Sequence, residues 1–350
     1  MQLPAVQTKF LDLPNSFSLR NGATLDKVCV AYEQYGTLTP EKDNAILLFH
    51  ALSGSQHAYG YNPEVPGTGS LWKPENHEGW WNSIIGPGKP LDTDRFCIIC
   101  ANYLGGCYGT TGPATPCPAD GRPYAPRFPH VEIADQARLQ ALLLDSLGIE
   151  RVHLVGPSVG GLIALSFACQ FPERVRSFIS IGSGYRASIE HRLSLFEQIL
   201  AIELDPDFQG GDYYRGPAPK KGLAFARIIG HKSFVYQAGL EQRARKDVGG
   251  NYGLLTWMTP TRSTQSYMLH QGTKFAERFD ANSYIRIADM WAEFDIRDHT
   301  PDGTFQTALE GFRRAGIPAL IFSIDTDCCF RPAEQQDFAA QLEAAHIPTE

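Results

Sequence analysis

The stretch that most limits how this chain can fold is Val152-His153-Leu154-Val155-Gly156-Pro157-Ser158-Val159-Gly160-Gly161-Leu162-Ile163-Ala164-Leu165. Its first half is a short apolar run closed by Gly156, the pattern of a buried strand. Its second half, Gly161 to Phe171, is small and apolar and is stopped by Pro172, the pattern of a buried helix. A strand that passes into a helix through Gly156-Pro157-Ser158-Val159-Gly160 has to turn sharply, which strains the Ser158 backbone and lifts its Oγ above the sheet. The flanking glycines remove side chains that would collide with neighbouring backbone. The helix start turns unpaired N–H groups and its positive dipole end toward the same point. A bare Gly-x-Ser-x-Gly recurs by chance, so the weight lies in its position between strand and helix. Ser158 is a candidate nucleophile.

Four further apolar runs read as buried parallel strands: Ala45–His50, Phe96–Ala101, Phe178–Ile181 and Ala319–Ile324. Residues 133–147 read as a helix, with Ala137, Leu139, Leu142, Leu143 and Leu147 along one side and Gly148 as its stop. Strands alternating with helices imply a parallel sheet covered on both faces. Between Gly184 and Arg314 the pattern changes to polar and aromatic helical stretches with turns at Gln209-Gly210-Gly211 and Gly249-Gly250. We read residues 185–314 as an inserted helical lid, and residues 1–184 and 315–350 as the α/β core.

Formal charge is −7 and no Lys/Arg block occurs, which argues against nucleic acid or an anionic membrane as partner. The first residues lack a basic start and apolar run, and no stretch approaches the roughly 18 apolar residues that span a bilayer. The expected location is the cytoplasm. The 8 cysteines are too few and scattered for a disulfide framework at 350 residues. Cys97 and Cys100 fall on one strand, three apart and so on opposite faces, and no second Cys or His pair follows at zinc spacing. No metal is expected; reduced thiols packed in the core are.

An elbow of this kind on a mostly parallel sheet resembles the α/β-hydrolase fold. In that fold one oxyanion donor is the N–H after the nucleophile, here Val159, and the second comes from the loop after an early strand, here Leu52 in Ala51-Leu52-Ser53-Gly54. His50 reads as a histidine packed at a strand end. The acid belongs just past a late strand, where Asp325 and Asp327 compete; Asp327 lies deeper in the turn and is preferred. A histidine must follow to take the serine proton. The helix from Pro332 to Ala345 leads only to His346, at its end, which reads as a surface residue.

Longer motifs then narrow the family. His50-Ala51-Leu52-Ser53-Gly54, Gly79-Trp80-Trp81, Gly86-Pro87-Gly88-Lys89, Asp92-Thr93-Asp94-Arg95-Phe96, Asn102 to Pro113 (Asn-Tyr-Leu-Gly-Gly-Cys-Tyr-Gly-Thr-Thr-Gly-Pro), Lys221 to His231 and Arg278-Phe279-Asp280-Ala281-Asn282-Ser283-Tyr284 occur in order. Together they resemble the homoserine O-acetyltransferases. The resemblance implies ping-pong acetyl transfer in methionine biosynthesis, from acetyl-CoA as co-substrate, with no permanently bound cofactor, to the γ-hydroxyl of L-homoserine. It implies an acetyl-Ser158 intermediate, Leu52 and Val159 as oxyanion donors, Asp327 as acid, Arg227 as the grip on the amino acid carboxylate, and a homodimer. Tyr108 resembles the acetyl-using members, where succinyl-using relatives tend to carry Asn. Phe234 stands where the family has tyrosine. The family histidine, in a Gly-His-Asp stretch, falls beyond Glu350, so the core is expected to lack its last segment. Succinyl-CoA or serine as alternative substrates, a general esterase, and a binding protein that keeps the pocket without the base are the other readings.

Overall fold

The computed structural model describes residues 3–244 and 260–350. Strand β1 (Lys9–Asp12) and the short pair β2 (Phe17–Ser18) and β3 (Thr24–Leu25) lead into β4 (Cys29–Tyr35), β5 (Ala45–Leu48) and β6 (Cys97–Ala101). Helix α1 (Ile133–Leu147), β7 (Val152–Pro157), α2 (Val159–Gln170) and β8 (Val175–Ile181) follow. Then come α3 (Ile189–Glu203), α4 (Lys220–Phe234), α5 (Gln237–Arg243), α6 (Ser263–Ala276), α7 (Ala281–Ala292), α8 (Phe305–Ala308) and α9 (Glu310–Arg314). The chain returns to the sheet as β9 (Ala319–Phe322) and ends on α10 (Pro332–Ala344).

The main sheet has seven strands in the order β1-β4-β6-β5-β7-β8-β9. The five expected strands are all there and pair in parallel, from β6 through β5, β7 and β8 to β9. Both faces are buried, as the apolar runs require: Ala45, Leu47 and Phe49 belong to one apolar cluster, Ile46 and Leu48 to another. Cys97 and Cys100 divide in the same way between the two clusters, as free thiols on opposite faces. Two antiparallel strands, β1 and β4, complete one edge and were not foreseen. In β4 the apolar pattern is broken by Glu33, a fully buried charge, and β1 is a mostly exposed edge. Leu142 is another correction: it stands 39 % exposed, off the packed face of α1.

Between β8 and β9 the described residues form helices α3–α9, and several of their side chains (Leu195, Tyr284, Trp291) join the same cluster as β5 and β7. The expected turn at Gly210-Gly211 is present, with φ of 61° and 91°; Gly249-Gly250 lies outside the described residues. Among the described residues no helix is long and apolar enough to cross a membrane. At the other end, residues 348–350 pair in parallel with β9, Ala319 N donating to Pro348 O at 2.8 Å and Ile321 N to Glu350 O at 2.7 Å.

Because β5 and β7 are neighbours at the centre of the sheet, the loop after β5 and the turn after β7 meet at its carboxyl edge. Ligands bind at this edge in open parallel sheets.

Candidate active site

Ser158 sits between β7 and α2 with φ 54° and ψ −130°, a backbone region that costs a residue with a side chain about 1–3 kcal/mol. Three hydrogen bonds hold it there: Ser158 N donates to Ile181 O at 3.0 Å, while Ser158 O accepts from Gly161 N at 2.9 Å and from Ser183 Oγ at 2.7 Å. The glycines are obligatory because a Cβ at Gly156 would lie 2.3 Å from Gly160 O, and one at Gly160 would lie 2.8 Å from His50 O. So the turn is as tight as its spacing suggested, and the serine is left half-buried at the sheet's edge.

The two expected oxyanion donors flank it. Val159 is the first residue of α2, whose N–H has no partner within the helix. Among the described residues, Leu52 N donates no hydrogen bond. Both side chains are buried, which fixes the two backbone amides.

The acid turn follows β9. Asp325 is exposed, whereas Asp327 is half-buried and its Oδ1 accepts from Cys329 N at 2.7 Å and Phe330 N at 3.0 Å. Its Oδ2 lies 3.0 Å from where a Cβ on Gly182 would be, beside the Ile181 carbonyl that anchors Ser158. Burial pushes the Asp327 carboxyl above its usual range, against the two backbone donors that lower it. Ser158, Leu52 and Asp327 line one cavity of about 400 Å³.

Arg227, on α4, reaches into that cavity. Its guanidinium stacks over Phe275 at 4.8 Å and Phe234 at 5.2 Å, and Nη1 donates to Ser53 Oγ at 3.3 Å. Among the described residues it has no ion-pair partner, and burial holds it down to about 10. Phe234, Tyr236 and Trp291 form the apolar wall. Helices that follow β8 thus deliver a cation to a site built by the sheet.

Of the 10 histidines in the sequence, all of them in described residues, none lines this cavity. His50 is fully buried and stacked on Tyr103 at 3.7 Å, its Nδ1 donating to Ala51 O at 2.8 Å; burial pushes it down to about 4, so it stays neutral. His346 is exposed just past α10 with φ 57°.

A family model for the α/β-hydrolase fold matches residues 44–348. The homoserine O-acetyltransferase of Deferribacter desulfuricans is 41% identical over 348 residues, covering 97% of this chain and 86% of that protein. The homoserine O-succinyltransferase of Magnetococcus marinus is 38% identical, covering 93% of this chain and 81% of that protein. The chain belongs to the homoserine O-acyltransferase family of α/β hydrolases. The crystal structure of a homoserine O-acetyltransferase from Bacillus anthracis superposes with a TM-score of 0.85 at 27% identity, over 100% of this chain and 91% of that one.

Two positions marked by the family resemblance can now be placed. Phe234 lies against the Arg227 guanidinium, and Tyr236, which lines the same cavity, brings a phenol close by. Tyr108 does not line the Ser158 cavity: it is buried beside a neighbouring one of about 230 Å³ with Lys274 and Arg278, its hydroxyl donating to Arg278 O at 2.5 Å. Ser53 borders both cavities.

Sequence reasoning missed the supports. Ser183 holds the Ser158 carbonyl, and its only signal was a serine between Gly182 and Gly184 just past β8. His191, on α3, donates from Nε2 to Cys329 O at 2.8 Å and steadies the acid turn; nothing in the sequence tied it to residue 329. One cluster with metal-ligating side chains occurs among the described residues, His130 with Asp289 and Glu293. There Nδ1 lies 3.1 Å from Asp289 and Nε2 2.8 Å from Glu293, and the Asp289 hydrogen bond holds the ring above the usual histidine range against its burial.

Proposed function

We propose that this chain transfers an acetyl group from acetyl-CoA to the γ-hydroxyl of L-homoserine, a step of methionine biosynthesis in the cytoplasm. Ser158 Oγ attacks the thioester carbonyl and its proton passes to a base; Leu52 N–H and Val159 N–H hold the oxyanion, and CoA leaves as the thiol, giving acetyl-Ser158. The homoserine hydroxyl then attacks this ester, the same donors hold the second oxyanion, and the serine recovers its proton as O-acetylhomoserine departs. The helices between β8 and β9 act as the lid of the pocket.

The observation that carries this reading is Arg227. A half-buried guanidinium facing the serine cavity without a carboxylate partner among the described residues is costly unless a ligand supplies the charge. A planar, two-pronged donor suits an amino acid carboxylate. An esterase for neutral substrates has no use for it.

Acetyl is preferred to succinyl on the strength of Tyr108, since the relatives carry both names.

The test is to incubate the chain with each acyl-CoA, with and without homoserine, and follow free CoA and the mass of the product. Homoserine-dependent release of CoA and an O-acetylhomoserine product are expected, with acetyl-CoA the better donor. Equal release without homoserine would make the protein a hydrolase. No release and no acyl adduct would make it a binding protein.

A further inference from the structure

Cys328 and Cys329 are consecutive, stand directly after Asp327, and have no part in acyl transfer. Both line the Ser158 cavity, and both also line a smaller cavity of about 100 Å³ beside it, with His191, Ser233 and Trp291. Neither is in a disulfide. Cys328 is exposed, its Sγ a weak donor to Thr326 O at 3.6 Å; Cys329 is half-buried. The turn that carries them is pinned from two sides, by Asp327 Oδ1 on Cys329 N and by His191 Nε2 on Cys329 O.

Among the described residues no peptide bond is cis, so the Cα atoms of these neighbours lie about 3.8 Å apart. A direct disulfide usually needs about 4.4–6.8 Å, so joining the two sulfurs directly would distort the turn. One atom placed between them removes that constraint. Once the first sulfur is bound, the second is presented at high effective concentration, which a solitary surface cysteine cannot match.

We propose that Cys328 and Cys329 form a chelating site for thiophilic ligands that bridge two sulfurs, with a monosubstituted trivalent arsenical as the simplest member of the class. Two S–H bonds break, two S–As bonds form, and both protons leave on the arsenical's oxide oxygen as one water. Arsenic keeps its oxidation state. The bound group lies against the wall of the Ser158 cavity, which both cysteines line. The site needs only the geometry of the turn, so its test stands whether or not Ser158 transfers acyl groups.

The full chain is treated with phenylarsine oxide, washed with excess monothiol and weighed by intact mass spectrometry, then digested and mapped. The expected product carries one phenylarsenic group, less two hydrogens, on the peptide holding Cys328 and Cys329. It survives the monothiol and is stripped by 2,3-dimercaptopropanol. Cys328→Ser and Cys329→Ser should each abolish the monothiol-resistant adduct, while Cys117→Ser keeps it. No adduct, an adduct stripped by monothiol, or one mapped to another cysteine would overturn the proposal. The wild-type map and the reversal pattern decide the matter even if a serine variant folds poorly.

Discussion

Arg227 carries most of the specificity in this account, and it does so through geometry. Its cost is met in part by two aromatic faces and one hydroxyl, which leave the edge of the guanidinium for a ligand. Lysine keeps the charge but loses the planar fork and the stacking. Arg227→Lys should therefore raise KM for homoserine about 10- to 100-fold, the value of a charged hydrogen bond, with a much smaller change in kcat. Initial-rate kinetics at varied homoserine check this; an unchanged KM would remove Arg227 from the acceptor site. Arg227 entered the sequence analysis through family resemblance alone, since an arginine on an amphipathic helix is otherwise a surface residue. Ser158 was legible without that help because the Gly-x-Ser-x-Gly spacing admits few backbones between a strand and a helix.

At the scale of the element, the elbow is a strained turn held by its neighbours. Its tolerance is set by the atoms opposite Gly156, and a methyl group there would meet Gly160 O at 2.3 Å. Since that contact is backbone on backbone, relief requires moving β7 against α2. We expect Gly156→Ala to lower stability by about 1–3 kcal/mol, as overpacking does, measured as a drop in the urea midpoint. A stability within a few tenths of the wild type would mean that the turn is looser than described. The parallel strands were legible because strands buried on both faces are nearly all apolar, as in Ala45–Leu48 and Cys97–Ala101. β4 escaped because Glu33 interrupts its run, and the pairing that makes a charge tolerable there comes from a residue 24 positions away.

That pairing ties together distant parts of the molecule. Glu33 and His57 are buried and meet at 2.7 Å; Thr8 and Asn62 add donors to the same carboxylate at 2.7 Å and 2.9 Å. Burial alone would raise the carboxyl, but the His57 ring and these donors outweigh it and hold Glu33 below the usual glutamate range. The unfolded chain protonates this residue near pH about 4.3, so the pairing contributes fully above that and is lost as the pH falls through the lower folded value. Glu33→Gln should cost about 3–5 kcal/mol at neutral pH, with a gap to wild type that narrows in acid. A gap that is constant from neutral to acid pH in urea titrations would contradict this. A second large-scale feature is the stripe Ile189, Leu193, Phe196, Leu200 and Leu204 along α3 and its end, with Leu204 72 % exposed. Its spacing keeps these side chains on one helix face, and we propose that a second copy of the chain covers it. Sedimentation should show a dimer that Phe196→Asp converts to monomer; a wild-type monomer at micromolar concentration would refute the dimer.

The central claim is that Ser158 accepts the acyl group. The measurement that tests it most directly is intact mass spectrometry after prolonged incubation with acetyl-CoA and no acceptor, followed by peptide mapping. The account predicts one added acetyl group, located on the peptide that contains Ser158 and absent from Ser158→Ala. An acetyl group that persists in Ser158→Ala, or one mapped to a different residue, would contradict it.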